Sequence, residues 1–268
     1  MRIILTASSG RCGTYLLARI LDIIPGVTAV HEPVPRLDNI WWRLRGDPGL
    51  ADRWLVKCKI PTIEKCRDPI YIETTHQMCK GFFEPMLANG RKFDLIILSR
   101  DLRSVTLSMY KLNDIPGRTN TGRRWYPWPS DNTNLLILRP EEYKAFSDYQ
   151  MCYWYVLEME LRKAFYCWLL RREGMLVVAT SLERIVTPVG YNQLIKDMNL
   201  PRPDAQTMFK YCHLVSSKHN TKGARKAFLR NRGAVKPQPQ DLSAQEYEVR
   251  KIMDFDNSLN IISKGEEL

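Results

Sequence analysis

The residues best suited to chemistry lie in a short turn near the start of the chain. The stretch TASSGRCGTYLLARIL, residues 6–21, contains a turn between an apolar run that predicts a strand, Arg2–Ala7, and a helical pattern. The first amides of a helix lack internal acceptors, and the helix dipole favours negative charge there. Gly10 and Gly13 let the backbone wrap closely, and Arg11 adds positive charge. The turn predicts an anion-binding loop, with an ordinary strand–helix connection as the alternative.

This loop lacks the lysine of ATP-binding phosphate loops. In the pattern G-x-x-x-x-G-K-[ST] the lysine precedes the hydroxyl residue. Here Gly13 is followed directly by Thr14, and Ser8 occupies the first glycine position. The missing lysine argues against magnesium-assisted phosphoryl transfer, although a small-molecule or nucleotide kinase of the P-loop class remains an alternative.

A second motif follows the clearest buried strand of the chain, the apolar run Leu95–Leu98. The sequence LSRDLRSVTLSMY places Arg100 at the carboxyl end of that strand, and Ser108 lies about two turns along the next predicted helix. Ligands of open α/β sheets bind outside the carboxyl ends of the strands. An arginine and a serine converging there suit a second phosphate group.

Together the two motifs resemble those of the sulfotransferase family. RCGTYLL at 11–17 resembles the phosphosulfate loop, [KR]-S-G-T-[TS], and RDLRSVTLS at 100–108 resembles the 3′-phosphate motif. VVATSLERIV is similar, more weakly, to the segment that approaches the adenine. Cys12 stands where the family usually has serine, and Leu102 where proline is frequent.

The resemblance implies the donor 3′-phosphoadenosine 5′-phosphosulfate (PAPS) as co-substrate, held without a metal ion. It assigns the phosphosulfate to Arg11, Cys12, Gly13, Thr14 and Tyr15, and the 3′-phosphate to Arg100 and Ser108. A late basic loop over the 3′-phosphate would contribute Lys222 and Gly223. Arg11 is also expected to act in catalysis, on the leaving phosphate.

Sulfuryl transfer to a hydroxyl needs a general base. The resemblance implies Glu32, after the predicted strand Val27–Val30, as in the bacterial small-molecule and tyrosylprotein-type branch. The cytosolic branch uses a histidine in a K-T-H motif, and the region assigned to it here, Val56–Lys59, has no histidine. His31 is the alternative catalytic residue, or a turn histidine. Strand alternation predicts that only one of His31 and Glu32 enters the site.

Three further side chains are weaker candidates. Glu73 ends a predicted strand and is a third possible base, but an N-cap of the next helix is the favoured interpretation. Lys57 or Lys59 would assist the transferring group, although solvated surface lysines are the favoured interpretation, since most lysines are exposed.

Strands that alternate with helices predict an α/β fold: a three-layer, mostly parallel central sheet flanked by helices, of the P-loop NTPase-like sulfotransferase type. The predicted strands are Arg2–Ala7, Val27–Val30, Trp54–Lys59, Tyr71–Thr74, Leu95–Leu98 and Met175–Thr180. The first predicted helix starts at Thr14. Further helical stretches are predicted over Leu102–Leu112, Glu141–Arg172 and Ala244–Phe255.

We expect one domain over residues 1–268, with a substrate lid at 114–140 and a helical tail at 237–268. The lid is rich in Gly, Asn and Pro, as functional loops often are, and a loop that merely packs on the surface is the alternative. Its aromatic and basic residues would contact a hydroxyl-bearing small molecule, a glycan, a lipid or a peptide acceptor; they are Arg123, Arg124, Trp125, Tyr126 and Trp128.

Composition sets the remaining limits. The net charge is +11, and eight Lys or Arg residues lie between Lys210 and Lys236 with no acidic residue. This block favours an anionic partner or a solvated surface; nucleic-acid binding is a second alternative, weakly supported by Tyr211 and Phe228. Seven cysteines without a CxxC pair, no signal peptide and no long apolar run predict a cytoplasmic protein without a membrane span. The oligomeric state stays open.

Overall fold

The structure is a computed structural model that describes residues 1–37, 40–47, 49–217 and 238–265. The chain divides into two compact units. The first comprises Met1–Arg100 and Tyr166–Ser217, and the second comprises Asp101–Phe165 and Lys218–Leu268.

The first unit contains a parallel sheet of five strands in the order β2-β3-β1-β4-β5. The strands are β1 Arg2–Ala7, β2 Val27–Val30, β3 Ile70–Glu73, β4 Asp94–Ser99 and β5 Val177–Ser181. The α-helices of both units, in chain order, are α1 Thr14–Leu21, α2 Leu50–Trp54, α3 Ile60–Ile63, α4 Phe83–Ala88, α5 Leu102–Lys111, α6 Asn120–Trp125, α7 Pro140–Tyr143, α8 Asp148–Arg172, α9 Leu182–Ile185, α10 Pro188–Asp197, α11 Ala205–Ser216, α12 Leu242–Ile252 and α13 Phe255–Lys264. The predicted α/β class, with a parallel sheet flanked by helices, is confirmed.

The central strands carry near-continuous apolar runs because both faces of a parallel sheet are covered. Ile4 and Leu5 of β1 and Leu95 and Ile96 of β4 are completely buried. On one side of the sheet, Tyr191 is fully buried and donates its hydroxyl to the Ile20 carbonyl oxygen of α1 at 2.9 Å. The strand that begins the chain is therefore held in the middle of the sheet by packing on both faces.

The strand order creates a switch point between β1 and β4. From β1 the chain passes through α1 to β2 on one edge, whereas β4 lies beside β5 on the other edge. Connections that diverge in this way leave a crevice at the carboxyl ends of the two strands. The loops that begin at Ser8 and at Arg100 both leave the sheet at this crevice.

One predicted strand is wrong. Trp54–Lys59 is the end of α2 followed by a π-helical turn, Leu55–Lys59. The buried side chains in this stretch recur at helical spacing, at Ala51, Trp54, Leu55 and Lys59. The bulky residues suggested a strand, but the positions that are buried follow a helical period.

The second unit is helical in its described part. It contains α5 to α7, most of α8, and the tail helices α12 and α13. Arg103 of α5 pairs with Glu246 of α12 at 2.7 Å, and Arg250 donates to the Tyr153 hydroxyl of α8 at 3.0 Å. The predicted tail therefore forms two helices that pack within this unit.

The second half of segment 114–140, which was predicted to be a lid, is anchored to α8. The carboxylate of Glu158, which is completely buried, accepts from the Leu135 amide at 2.9 Å and pairs with Arg162 at 2.8 Å. Arg162 in turn donates to the Thr133 carbonyl oxygen. Tyr126 is also buried, with its ring edge-on to Tyr155, so this aromatic belongs to the core of the unit and is not placed to stack on an acceptor.

Along the part of the chain that the structure describes, no helix is both long enough and apolar enough to cross a membrane.

Candidate active site

The loop after β1 turns sharply because three of its residues have positive φ. Gly10, Arg11 and Gly13 have φ of 75°, 59° and 88°. Glycine adopts this region without cost, and a residue with a Cβ enters it only under local constraint. Gly13 is the N-cap of α1, and no side chain caps that helix, so its first amides face the loop.

Neighbouring side chains also leave little room for a Cβ at either glycine. A Cβ on Gly10 would lie 3.2 Å from Cγ of His76, and a Cβ on Gly13 would lie 2.6 Å from Cδ1 of Leu182. The loop is therefore packed between the segment after β3 and the segment after β5. This tight packing fixes the direction of the amides at the start of α1.

Cys12 is buried beneath the loop. Its sulfur lies 3.2 Å from the Gly10 carbonyl oxygen and 3.1 Å from Oγ of Ser9. The thiol therefore lies on the inner side of the turn. Any contact of Cys12 with an anion would be made by its backbone amide.

The next two loop residues face different ways. Thr14 is buried, and its carbonyl oxygen accepts from the Thr74 hydroxyl at 2.9 Å. Tyr15 is half exposed, with its ring edge-on to His31 at a centroid separation of 5.7 Å. Thr14 thus ties α1 to the segment after β3, and Tyr15 borders the segment after β2.

The structure brings Arg100 to this loop. Arg100 follows β4 directly and donates Nη1–H to the Arg11 carbonyl oxygen at 3.1 Å. Ser108 lies in α5, within the second unit. Lys222 and Gly223 lie outside the described residues. For all four residues, Arg100 included, the assignment to the 3′-phosphate stays a prediction.

His31 and Glu32 follow β2 and lie on the same side of the chain. Nε2 of His31 and Oε1 of Glu32 are 3.9 Å apart, so strand alternation does not turn them to opposite faces. The physical reason is the positive φ of Glu32, 46°, which ends the alternation of the strand. That only one of them enters the site stays a prediction. Nδ1 of His31 lies 2.7 Å from the Thr74 carbonyl oxygen, so Nδ1–H donates there.

A second histidine, His76, was missed by the sequence analysis. His76 is 5% exposed, and its Nε2 lies 3.7 Å from Oε1 of Glu32. Nδ1 lies 3.0 Å from Nζ of Lys80, which is completely buried. Burial, followed by the positive charge of Lys80 and then by His31 and Arg11, holds the pKa of His76 well below its usual value. These surroundings favour the neutral form of His76.

His76 was missed because the region that corresponds to the K-T-H motif was assigned to the wrong stretch of the chain. The histidine-bearing region was sought after Trp54–Lys59, which is helical. β3 is the strand beside β1, and ETTH at 73–76 brings His76 to the carboxyl end of the sheet next to the loop. A histidine a few residues after an apolar run was the signal that could have identified it.

Glu73 and Lys59 form a buried ion pair, with Nζ to Oε2 at 2.7 Å, and each is 1% exposed. The Tyr71 hydroxyl donates to the same Glu73 oxygen at 2.8 Å. The interpretations of Glu73 as an N-cap and of Lys59 as a solvated lysine are therefore both wrong, because the two buried groups form an ion pair with each other. Lys57 is exposed.

The arrangement joins the glycine loop at the start of α1 to the Arg100 guanidinium and places the Glu32 carboxylate beside His76. A group that leaves as an anion would be stabilised by the loop, and Glu32 would accept a proton from an incoming hydroxyl. Among the described residues no group of three or more His, Cys, Asp or Glu side chains is arranged to hold a metal ion.

Comparison with known proteins bears on the fold. No protein-family model matches the chain, and no curated protein matches its sequence. Among solved structures, the "Sulfotransferase Domain from the Curacin Biosynthetic Pathway" matches with a TM-score of 0.52, covering 95% of this chain and 97% of that one. The fold is that of a sulfotransferase domain. At 12% sequence identity the sulfotransferase likeness concerns the fold alone.

Proposed function

We propose that this chain is a sulfotransferase that moves a sulfuryl group from PAPS to a hydroxyl or amine acceptor, with Glu32 as general base. The observation that carries the proposal is the lysine-free glycine loop between β1 and α1, joined to Arg100 across the switch point of a sulfotransferase fold. The missing lysine and the two guanidinium groups favour this donor over ATP with magnesium.

The residues of the loop fit a phosphosulfate group. The donor supplies a sulfuryl group bonded to a phosphate that leaves as an anion. The amides of residues 12–15 and the Arg11 guanidinium would bind that phosphate and stabilise its growing charge. Arg100 donates one N–H to the Arg11 carbonyl oxygen, and its other N–H groups would bind the 3′-phosphate. Ser108, Lys222 and Gly223 are proposed to assist there.

Glu32 would take the proton from the acceptor hydroxyl as the acceptor oxygen forms its bond to sulfur. The bond between sulfur and the phosphate oxygen breaks in the same step, and the loop stabilises the electron pair left on that phosphate. His31 is the weaker candidate for this role, because its Nδ1–H already donates to the Thr74 carbonyl oxygen. Its Nε2 lies 3.9 Å from Glu32, so His31 also helps to set the position of that carboxylate.

The proposed acceptor class is a hydroxyl-bearing small molecule, a glycan or a peptide. Arg123 and Arg124 of α6 are exposed and would favour an acidic acceptor. The cytoplasm is the proposed compartment, because seven cysteines without a CxxC pair fit a reducing environment.

The test is isothermal titration with 3′-phosphoadenosine 5′-phosphate, the desulfated donor, without magnesium. We expect binding to wild type and a loss of about 10- to 100-fold in Arg100→Ala, since hydrogen bonds between charged groups are the strong ones. Arg91→Ala is the matched control, because Arg91 precedes β4 at its amino end and pairs with Glu64 on the surface.

Equal weakening by the two substitutions would show that Arg100 acts only through net charge. Absence of binding, with binding of ATP and magnesium instead, would overturn the proposal and favour the kinase alternative.

A further inference from the structure

Two buried side chains behind Glu32 have no role in the function proposed above. His76 and Lys80 are 5% and 0% exposed, and they stand next to each other after β3. A buried lysine is unusual unless it is paired, because desolvating an ammonium is costly. Here Nζ of Lys80 faces Nδ1 of His76 at 3.0 Å and the ring of Trp41 at 5.4 Å from its centroid.

The contact between Lys80 and His76 determines which nitrogen of the histidine carries the proton. When Lys80 is an ammonium, which has donors and no acceptor, Nδ1 of a neutral His76 accepts from it. The proton of the ring is then on Nε2. Nε2 is the atom that faces Oε1 of Glu32, at 3.7 Å. This separation exceeds that of a formed hydrogen bond, as is common at catalytic sites before substrate binds.

We propose that His76 and Lys80 are positioning residues for Glu32: Lys80 holds His76 as its Nε2–H tautomer, and Nε2–H directs the Glu32 carboxylate toward the loop. The proposal rests on the proposed function for the role of Glu32 as a base. In this tautomer Nε2 has no lone pair to accept a proton, so His76 does not itself act as the base. The carboxylate is left with that task.

The position of His76 also links the carboxylate to the loop. The imidazole ring packs on Gly10, where a Cβ would approach Cγ of His76 to 3.2 Å. The ring therefore touches the turn that faces the donor on one side and Glu32 on another. The charged and titratable groups around it include Lys80 from the same segment, His31 and Glu32 from the segment after β2, and Arg11 from the loop. A shift of the loop would therefore also move Nε2–H of His76, which faces Glu32.

The experiment is ¹⁵N NMR of the full chain labelled on histidine, at neutral pH, with His76 identified among the four histidines by the His76→Gln spectrum. In wild type we expect an unprotonated Nδ1 and a protonated Nε2. Lys80→Met, which keeps the length without a donor, should produce a mixture of tautomers, and Lys80→Gln, which restores an uncharged donor, should keep the Nε2–H form. A wild-type His76 protonated on Nδ1 or on both nitrogens would overturn the proposal without any variant.

The contact with Glu32 is tested in the same spectra. Glu32→Gln should move the Nε2–H proton of His76 upfield, because a carboxylate is a stronger acceptor than an amide. Glu64→Gln, a surface glutamate paired with Arg91, is the matched control and should leave that proton unchanged. An Nε2–H signal that ignores Glu32→Gln would refute the positioning role.

Titration with 3′-phosphoadenosine 5′-phosphate separates this inference from the proposed function. Lys80→Met should bind the nucleotide within about twofold of wild type, since Lys80 acts on the carboxylate and not on the donor. Failure of wild type to bind would overturn the sulfotransferase proposal and leave the tautomer result standing. Normal binding with the wrong tautomer would overturn only the role of His76 and Lys80.

Discussion

Gly13 is the position at which the loop, the helix and a neighbouring segment constrain one residue. Its φ is 88°, and a Cβ would lie 2.6 Å from Cδ1 of Leu182. A non-glycine residue in the left-handed region costs about 1–2 kcal/mol. Displacing a packed side chain adds roughly 1–3 kcal/mol. We therefore expect Gly13→Ala to lower the free energy of unfolding by about 2–5 kcal/mol.

A matched control and a double variant separate the two contributions. Gly90 also has positive φ, 67°, but a Cβ there would meet nothing within 4 Å, so Gly90→Ala should cost only the backbone part, about 1–2 kcal/mol. Leu182→Ala opens the space above Gly13. In that background Gly13→Ala should cost less than in wild type, with a coupling of about 1–2 kcal/mol.

The measurement is urea-induced unfolding of the four proteins, wild type, the two single variants and the double variant, with Gly90→Ala alongside. The midpoint should change while the dependence on urea stays constant, which marks an effect on the native state. An equal cost of Gly13→Ala with and without Leu182→Ala would refute the contact. A cost no greater than that of Gly90→Ala would refute the argument that the loop is packed against the segment after β5.

Three further predictions concern buried charges. The pKa of His76 is depressed in the folded protein, so the unfolded chain binds the proton of this histidine more readily. As the pH falls from about 7.5 to 5.5, wild type should lose about 1 kcal/mol of stability relative to His76→Gln. A stability difference between the two proteins that does not change with pH would contradict this. Lys59→Met leaves the Glu73 carboxylate buried without its lysine partner and should lower the free energy of unfolding in urea by about 3–5 kcal/mol. The double variant Lys59→Met with Glu73→Gln should lose less. Additive effects of the two substitutions would exclude the ion pair. Glu158→Gln removes the carboxylate that accepts from the Leu135 amide and pairs with Arg162, so amide hydrogen exchange should rise in residues 133–136, and unchanged exchange would show that this carboxylate does not anchor the segment.

Local patterns were sufficient for much of the fold. The apolar runs of β1 and β4, the glycine turn before α1 and the helix after Arg100 were predicted with nearly the observed bounds. These features depend on the properties of adjacent residues: β-branched and aliphatic runs favour strands, and Gly10 and Gly13 permit positive φ. The stretch Trp54–Lys59 was predicted wrongly because short apolar runs do not distinguish a strand from a buried helix.

The sequence alone therefore determined the α/β class, the loop and the placement of Glu32 after β2, since each follows from residues that are neighbours in the chain. Only the tertiary structure placed β3 beside β1, which brought His76 and Lys80 behind Glu32 and buried Lys59 against Glu73. The physical reason is that strand order follows from how the helices pack on the sheet. Two side chains that are distant in sequence become partners only when the packing of the whole unit removes both from water.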